Sequence, residues 1–192
     1  MSLAVVEREG LPVFPLPKVV LLPGEELALH VFEPRYRALV AWCRLHRAPF
    51  GVATLAGGED ERGRPRLYPE VGVGMIVGHR ALPDGRSDIV VGHVATAIVT
   101  EEIVTPGEPF RRVRCAWKVP VPPSSYPDLG EVRALAVQVG MLVSVPVKQA
   151  PWWDAVGEAW LHRAASLFLT EPGARRAYLA ADDGGERVAL VR

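Results

Sequence analysis

Between residues 120 and 127 the sequence reads Pro120-Val121-Pro122-Pro123-Ser124-Ser125-Tyr126-Pro127, four prolines in eight residues. Proline lacks the N–H that a helix interior or a central strand requires, so this segment excludes both. Apolar residues before it alternate or stand in short runs, and those after it recur at helical spacing. A β-rich part is therefore expected over 1–119, a linker over 120–127 and a helical part over 128–192. Strands first and helices after point to an α+β architecture, not to alternating βαβ units.

In the first part, Lys18–Leu22 is expected as a short strand ended by the Pro23-Gly24 turn, and Leu27, Leu29 and Val31 alternate as in a half-buried strand. A helix follows. Glu33 stands at the N-cap, Pro34 at the first helical position, and Tyr36, Leu39, Val40 and Cys43 form one apolar stripe. Phe50–Leu55 and Val71–His79 read as strands around a charged, glycine-rich loop at 57–66. Ile89–Val91 and Ala95–Thr100 read as two strands with a bulge at Gly92. Along 112–119, Val113, Cys115, Trp117 and Val119 alternate with Arg112, Arg114, Ala116 and Lys118. Seven short strands and one helix suggest a small, curled, barrel-like sheet.

In the second part, Leu129, Val132, Leu135, Ala136, Val139, Leu142 and Val143 define a helix ended by Pro146. A second helix is expected over Trp152–Leu169, and short helices over Arg175–Ala181 and Glu186–Val191.

Charge narrows the function classes. The 192 residues carry 22 basic and 22 acidic side chains. A chain that lives on phosphate backbones usually shows a positive excess. Two cysteines make no disulfide framework, Glu7 and Glu9 stand where a signal peptide needs an apolar core, and no stretch is long and apolar enough to span a bilayer. A soluble, cytoplasmic protein without membrane contact is expected.

Candidate chemistry is sparse. Cys43 and His46 are spaced C-x-x-H, half of a zinc site, but Cys43 lies on the apolar stripe, where a thiol is usually inert. Gly72, Gly74 and Gly78 resemble a phosphate loop, yet the spacing exceeds the dinucleotide fingerprint by one residue and no helix follows; close-packing or bulge glycines are expected. Ser144 and Lys148 are separated by Pro146, which breaks the helix that would align them. The histidines, His30, His46, His79, His93 and His162, show no metal-ligand spacing. No catalytic residue, metal or cofactor is expected.

Two surfaces remain. Arg111, Arg112, Arg114 and Lys118 form the best basic strand face, expected as a solvated sheet face, the alternative being a nucleic-acid site. Trp152 and Trp153 are neighbours on an expected helix and cannot both face its buried side, so one of them is expected to pack onto the β-rich part, the alternative being an exposed anchor for a partner.

The opening stretch carries a resemblance. Leu11-Pro12-Val13-Phe14-Pro15-Leu16-Pro17 runs through Val19-Val20-Leu21-Leu22-Pro23-Gly24 into Leu27-Ala28-Leu29-His30-Val31-Phe32-Glu33-Pro34-Arg35-Tyr36. This resembles the start of the N-terminal substrate-binding domain of Lon proteases. Phe50-Gly51-Val52, Val71-Gly72, the Leu82-Pro83-Asp84-Gly85-Arg86 turn and the tail from Arg175 to Arg187 are also similar to that family. The segment after Gly92 departs from it, with His93, Val94, Ala95, Thr96 and Ala97 where the family tends to show arginine and an aromatic residue.

The resemblance implies a pseudo-barrel related to the PUA superfamily, with one helix, followed by a helical subdomain. It implies recognition of polypeptide segments; binding by strand addition or by aromatic anchors in a cleft is the first expectation, and delivery to a separate ATP-dependent protease extends it. The nucleotide-hydrolysing and Ser-Lys protease domains of Lon are not in the sequence, so a non-catalytic module is expected. Within the signature, Phe32 is expected to pack under the helix, Glu33 to cap it and Arg35 to pair with an acid. The alternative is that Phe32, Glu33, Arg35 and Tyr36 rim a peptide groove. An RNA-binding module is the second reading and an uncharacterised enzyme the last. Oligomeric state is left open.

Overall fold

The computed structural model describes residues 10–118, 129–142, 147–149, 152–155 and 157–191, the side chains at 140, 142 and 147 excepted. The proline-rich segment 120–127 lies outside them. Close contacts gather the chain into two compact units, Met1–Lys118 and Val119–Arg192.

The first unit runs β1 (Leu11–Leu16), β2 (Glu26–Val31), α1 (Pro34–His46), β3 (Phe50–Glu59), β4 (Pro65–Ala81), β5 (Ser87–Ile103) and β6 (Arg111–Lys118). The strands are ordered β2-β5-β4-β3-β1-β6, and a further β5–β6 pairing closes the last five into a ring. Among the described residues only β1 and β3 pair in parallel, with Val13 opposite Gly51. The long strand β5 makes the closure possible. Its first part, Ser87–Gly92, pairs with β2, and its last part, Thr96–Ile103, pairs with β6.

The strand alternation sends side chains to two cores. Leu11, Val13, Ala53, Val71, Val73, Ala97 and Val113, drawn from all five ring strands, meet in one buried cluster. Phe14, Phe50, Val52, Ile89 and Val91 point to the opposite face and are covered by Tyr36, Leu39, Val40 and Cys43 of α1. Those four are the residues of the expected stripe. Helix α1 starts from an extended Glu33 with Pro34 in its first turn. It ends where Arg47 turns left-handed, φ 50°, and the Ala48 N–H donates to the Cys43 carbonyl at 2.9 Å.

Lys18–Leu22 is not a strand. Val20, Leu21 and Leu22 are buried, but as irregular chain laid against the sheet. Gly72 makes this approach possible: a Cβ there would run into the Leu21 carbonyl and its carbon. The glycines at 72 and 74 are thus close-packing positions in β4, where no helix follows.

The expected loop at 57–66 is instead mostly hairpin, with β3 reaching Glu59 and β4 starting at Pro65. Asp60 ties the turn by accepting from the backbone N–H groups of Arg62 and Arg64, each at 2.9 Å. Those bonds hold its carboxyl at about 2. The two strands expected around Gly92 are one continuous strand; with Lys18–Leu22 irregular and β1 a strand that the alternation did not indicate, the described residues of this unit form six strands where seven were expected. The bulge falls at Val94 rather than at Gly92, because Val73 pairs with Ala95 and Gly74 with His93. A second bulge on β4 leaves Val77 unpaired between Ile76 and Gly78. Both extra residues are turned outward, Val77 at 60% and Val94 at 51% exposure.

The second unit is helical: α2 (Gly130–Leu142), a 3-10 turn at Val147–Gln149, α3 (Glu158–Phe168), α4 (Pro172–Ala180) and α5 (Gly184–Val191). Helix α3 begins later than Trp152 because Gly157 takes φ 58°, ψ −139°, a conformation outside the helical region. Trp160, Leu161, Ala164, Ala165, Tyr178 and Leu179 are its buried heart. The architecture is α+β, a ring-closed sheet with one helix followed in the chain by helices.

Candidate functional site

The corner between β2 and α1 gathers four of the sequence candidates. Val31 is buried, so alternation turns the next residue, Phe32, outward. Phe32 is 58% exposed and its ring stacks near His30 at 6.1 Å. It does not pack under the helix. Glu33 occupies the N-cap without a side-chain cap bond. Its carboxylate instead accepts from Arg35, Nε at 2.9 Å and Nη2 at 2.7 Å. The helix start is satisfied through backbone, with the Tyr36 and Arg37 N–H groups donating to the Glu33 carbonyl.

Tyr36 lies below this corner. It is 6% exposed, its ring stacks on Phe14 with centroids 3.9 Å apart, and its hydroxyl donates to the Pro15 carbonyl at 3.0 Å. Burial raises the phenol pKa above its ordinary value, against the opposing pull of Arg35. The surface of the corner is therefore Phe32 with the Glu33–Arg35 ion pair, and Tyr36 is the post beneath it, with the Arg35 guanidinium 4.5 Å from its ring centre.

In the helical unit, Trp152 and Trp153 sit in a turn ahead of α3 and are both half-buried. Their rings meet Trp160 at 5.9 and 5.7 Å, edge on. Because neither residue is helical, the rule that separates helical neighbours does not apply, and both share one aromatic cluster. Arg133 lies 5.3 Å from the Trp160 ring and donates to the Ala155 carbonyl at 2.8 Å.

The basic strand face is not a row of free cations. Arg112 is 2% exposed, donates to Glu108 and to the Gly10 carbonyl, and stacks on Trp42 and Phe110. Arg111 donates to Glu102 and to the Pro65 carbonyl, and Arg114 to Glu101. Arg64 joins the same Glu102, forming a cross-strand network that sequence spacing did not reveal. Lys118 stands at the end of β6, half-buried.

Reactive chemistry is poorly served. Burial pushes the Cys43 thiol up to about 12, so little thiolate forms near neutrality. His46 is used against Trp42, ring to ring at 4.4 Å. Among the described residues no three His, Cys, Asp or Glu side chains group as metal ligands. Ser144 lies outside the described residues. No helix among them is long and apolar enough to cross a membrane.

Comparison with known proteins places this geometry. The family described as ATP-dependent protease La (LON) substrate-binding domain matches residues 10–145. The crystal structure of a Lon N-terminal domain protein from Xanthomonas campestris is similar at a TM-score of 0.68 and 25% identity, over 94% of this chain and 95% of that one. The N-terminal domain of a Mycobacterium avium complex Lon protease is similar in fold, at a TM-score of 0.63 and 16% identity, over 95% of each chain. Comparison with curated protein sequences finds no match. A ring-closed sheet crossed by one helix, followed by a helical unit, and a family match over most of the sequence lead to one conclusion: the chain belongs to the Lon substrate-binding domain family.

Proposed function

We propose that this chain is a non-catalytic recognition module that binds exposed or unfolded polypeptide segments in the cytoplasm and works with an ATP-dependent protease in protein quality control. Family membership supports the substrate-recognition part of this reading. The observation that carries it to residues is the β2–α1 corner: a large aromatic side chain, Phe32, held outward beside a surface ion pair. An exposed aromatic residue rimmed by polar groups is the usual form of an anchor for another chain. Phe32 supplies apolar area, Glu33 and Arg35 offer an acceptor and donors to a passing backbone, and Tyr36 holds the corner in place. Trp152 and Trp153 supply a second aromatic surface in the helical unit.

The RNA reading is weaker because Arg111, Arg112 and Arg114 already have carboxylate partners, and phosphate would have to displace them. Titrating a permanently unfolded protein into the intact chain and into Phe32→Ser and Trp153→Ala variants tests the assignment. Phe32→Ser should weaken binding by about tenfold or more, as loss of an interfacial anchor does. Unchanged affinity in both variants would remove these residues from the site.

A further inference from the structure

A groove of about 380 Å³ lies in the first unit between the end of α1 and β4, lined by Cys43, Arg44, Arg47, Met75, Val77 and His79. Two independent features make it unusual. The first is backbone. Strand β4 pairs with β3 only as far as Gly74, opposite Phe50, whereas its pairing with β5 continues to Ala81, opposite Ser87. From Met75 to Ala81 one edge of β4 has no strand partner among the described residues. Such an edge is a template for another extended chain.

The second feature is charge. No Asp or Glu occurs between residues 34 and 58 or between 71 and 83, the segments that form the two walls. Among the described residues Arg44 meets the His79 ring, Nη1 to Nε2 at 3.4 Å, and neither Arg44 nor Arg47 has a carboxylate partner. The end of α1 contributes about half a negative charge, less than two guanidiniums bring. Desolvation first, then Arg44, lowers the His79 pKa, so near neutrality the groove's charge is that of the arginines. A chain with zero net charge therefore presents a cationic, carboxylate-free groove over an apolar floor.

We propose that the open edge of β4 over Met75–His79, flanked by Arg44 and Arg47, seats an extended polypeptide segment that alternates apolar and acidic side chains. The inference rests on the reading that the chain binds polypeptide and names the class of segment taken. Strand addition satisfies the edge backbone. The alternation of a strand then sends one set of side chains to Met75 and Val77 and the other to the guanidiniums. Nucleic acid fits less well, because no Phe, Tyr or Trp lines the groove for a base to stack on, His79 being its one aromatic ring.

The test uses the full chain and three probes: a peptide alternating Val and Glu, its counterpart with Lys for Glu, and an oligouridylate. The acidic peptide should bind at least about tenfold more tightly than the basic one, and Arg44→Glu with Arg47→Glu should reverse that order. Val77→Asp, at an exposed bulge position, should weaken the acidic peptide without touching the core. Hydrogen exchange at residues 75–79 should slow when the acidic peptide is present. Equal affinity for the two peptides, an unchanged order in the double variant, or a stronger oligouridylate complex would overturn the proposal. If the double variant still binds an unfolded protein as the intact chain does, the groove is excluded while the polypeptide-binding reading stands.

Discussion

The guanidinium of Arg112 lies 4.2 Å from the centre of the Trp42 ring, joining β6 to α1 across the first unit. It also donates to both Glu108 oxygens, at 2.5 and 2.9 Å, and to the Gly10 carbonyl at 3.0 Å. A charge that is 2% exposed is tolerable only because each face of the guanidinium is occupied. Arg112→Met keeps the volume but leaves Glu108 without its cation. Urea unfolding should show a loss of about 3 kcal/mol, and Glu108→Gln added to it should recover part. A loss below about 0.5 kcal/mol would mean the pair is merely surface-like.

Gly72→Ala tests the way Leu21 is laid on the sheet. The new Cβ would strike the Leu21 carbonyl and backbone carbon, which are not the movable end of a side chain. The segment Val20–Leu22, buried throughout, must lift, and the cost should reach about 2 kcal/mol or more. Gly57→Ala, where a Cβ meets nothing within 4 Å, serves as the control and should be near neutral. Equal effects of the two substitutions in thermal unfolding would contradict this packing.

These two sites mark the limit of what patterning discloses. Helix α1 was readable because its signals are local: an acid before Pro34 and four apolar residues at helical spacing, all four of which are buried. The Lys18–Leu22 segment misled because its apolar run reflects burial under glycines far along the chain, not pairing. Strand β5, 17 residues long, looked like two strands because the Val94 bulge shifts the alternation midway. Arg112 looked solvated because Trp42 and the Gly10 carbonyl, which help bury it, come from far along the chain. At the β2–α1 corner the residues were legible but their depths were not: Phe32 was expected inside and is outside, and Tyr36 is the buried member. The groove beside β4 left a sequence signal, two long stretches without acids, but its open edge appears only once the strands are paired.

His93 sets a pH response. Burial pushes its imidazole down to about 4 from an ordinary 6.5, against the opposite pull of Glu25. Its Nε2 lies 3.2 Å from the Thr96 hydroxyl. The folded chain therefore resists the proton that the unfolded chain accepts. The stability from neutral His93 is complete above pH 6.5 and is lost as pH falls toward about 4. The loss amounts to about 3 kcal/mol at most, with a slope near 1.4 kcal/mol per pH unit. Denaturant titrations across that window should show it in the intact chain and not in His93→Gln. A parallel pH dependence of the two proteins would contradict the assignment.

The most direct measurement is calorimetric titration of the intact chain with one client protein in two states, native and permanently unfolded. Saturable binding of the unfolded state with little or no binding of the native one is the predicted result. Indifference to both, or equal affinity for both, would contradict the view that this domain recognises segments that folding normally hides.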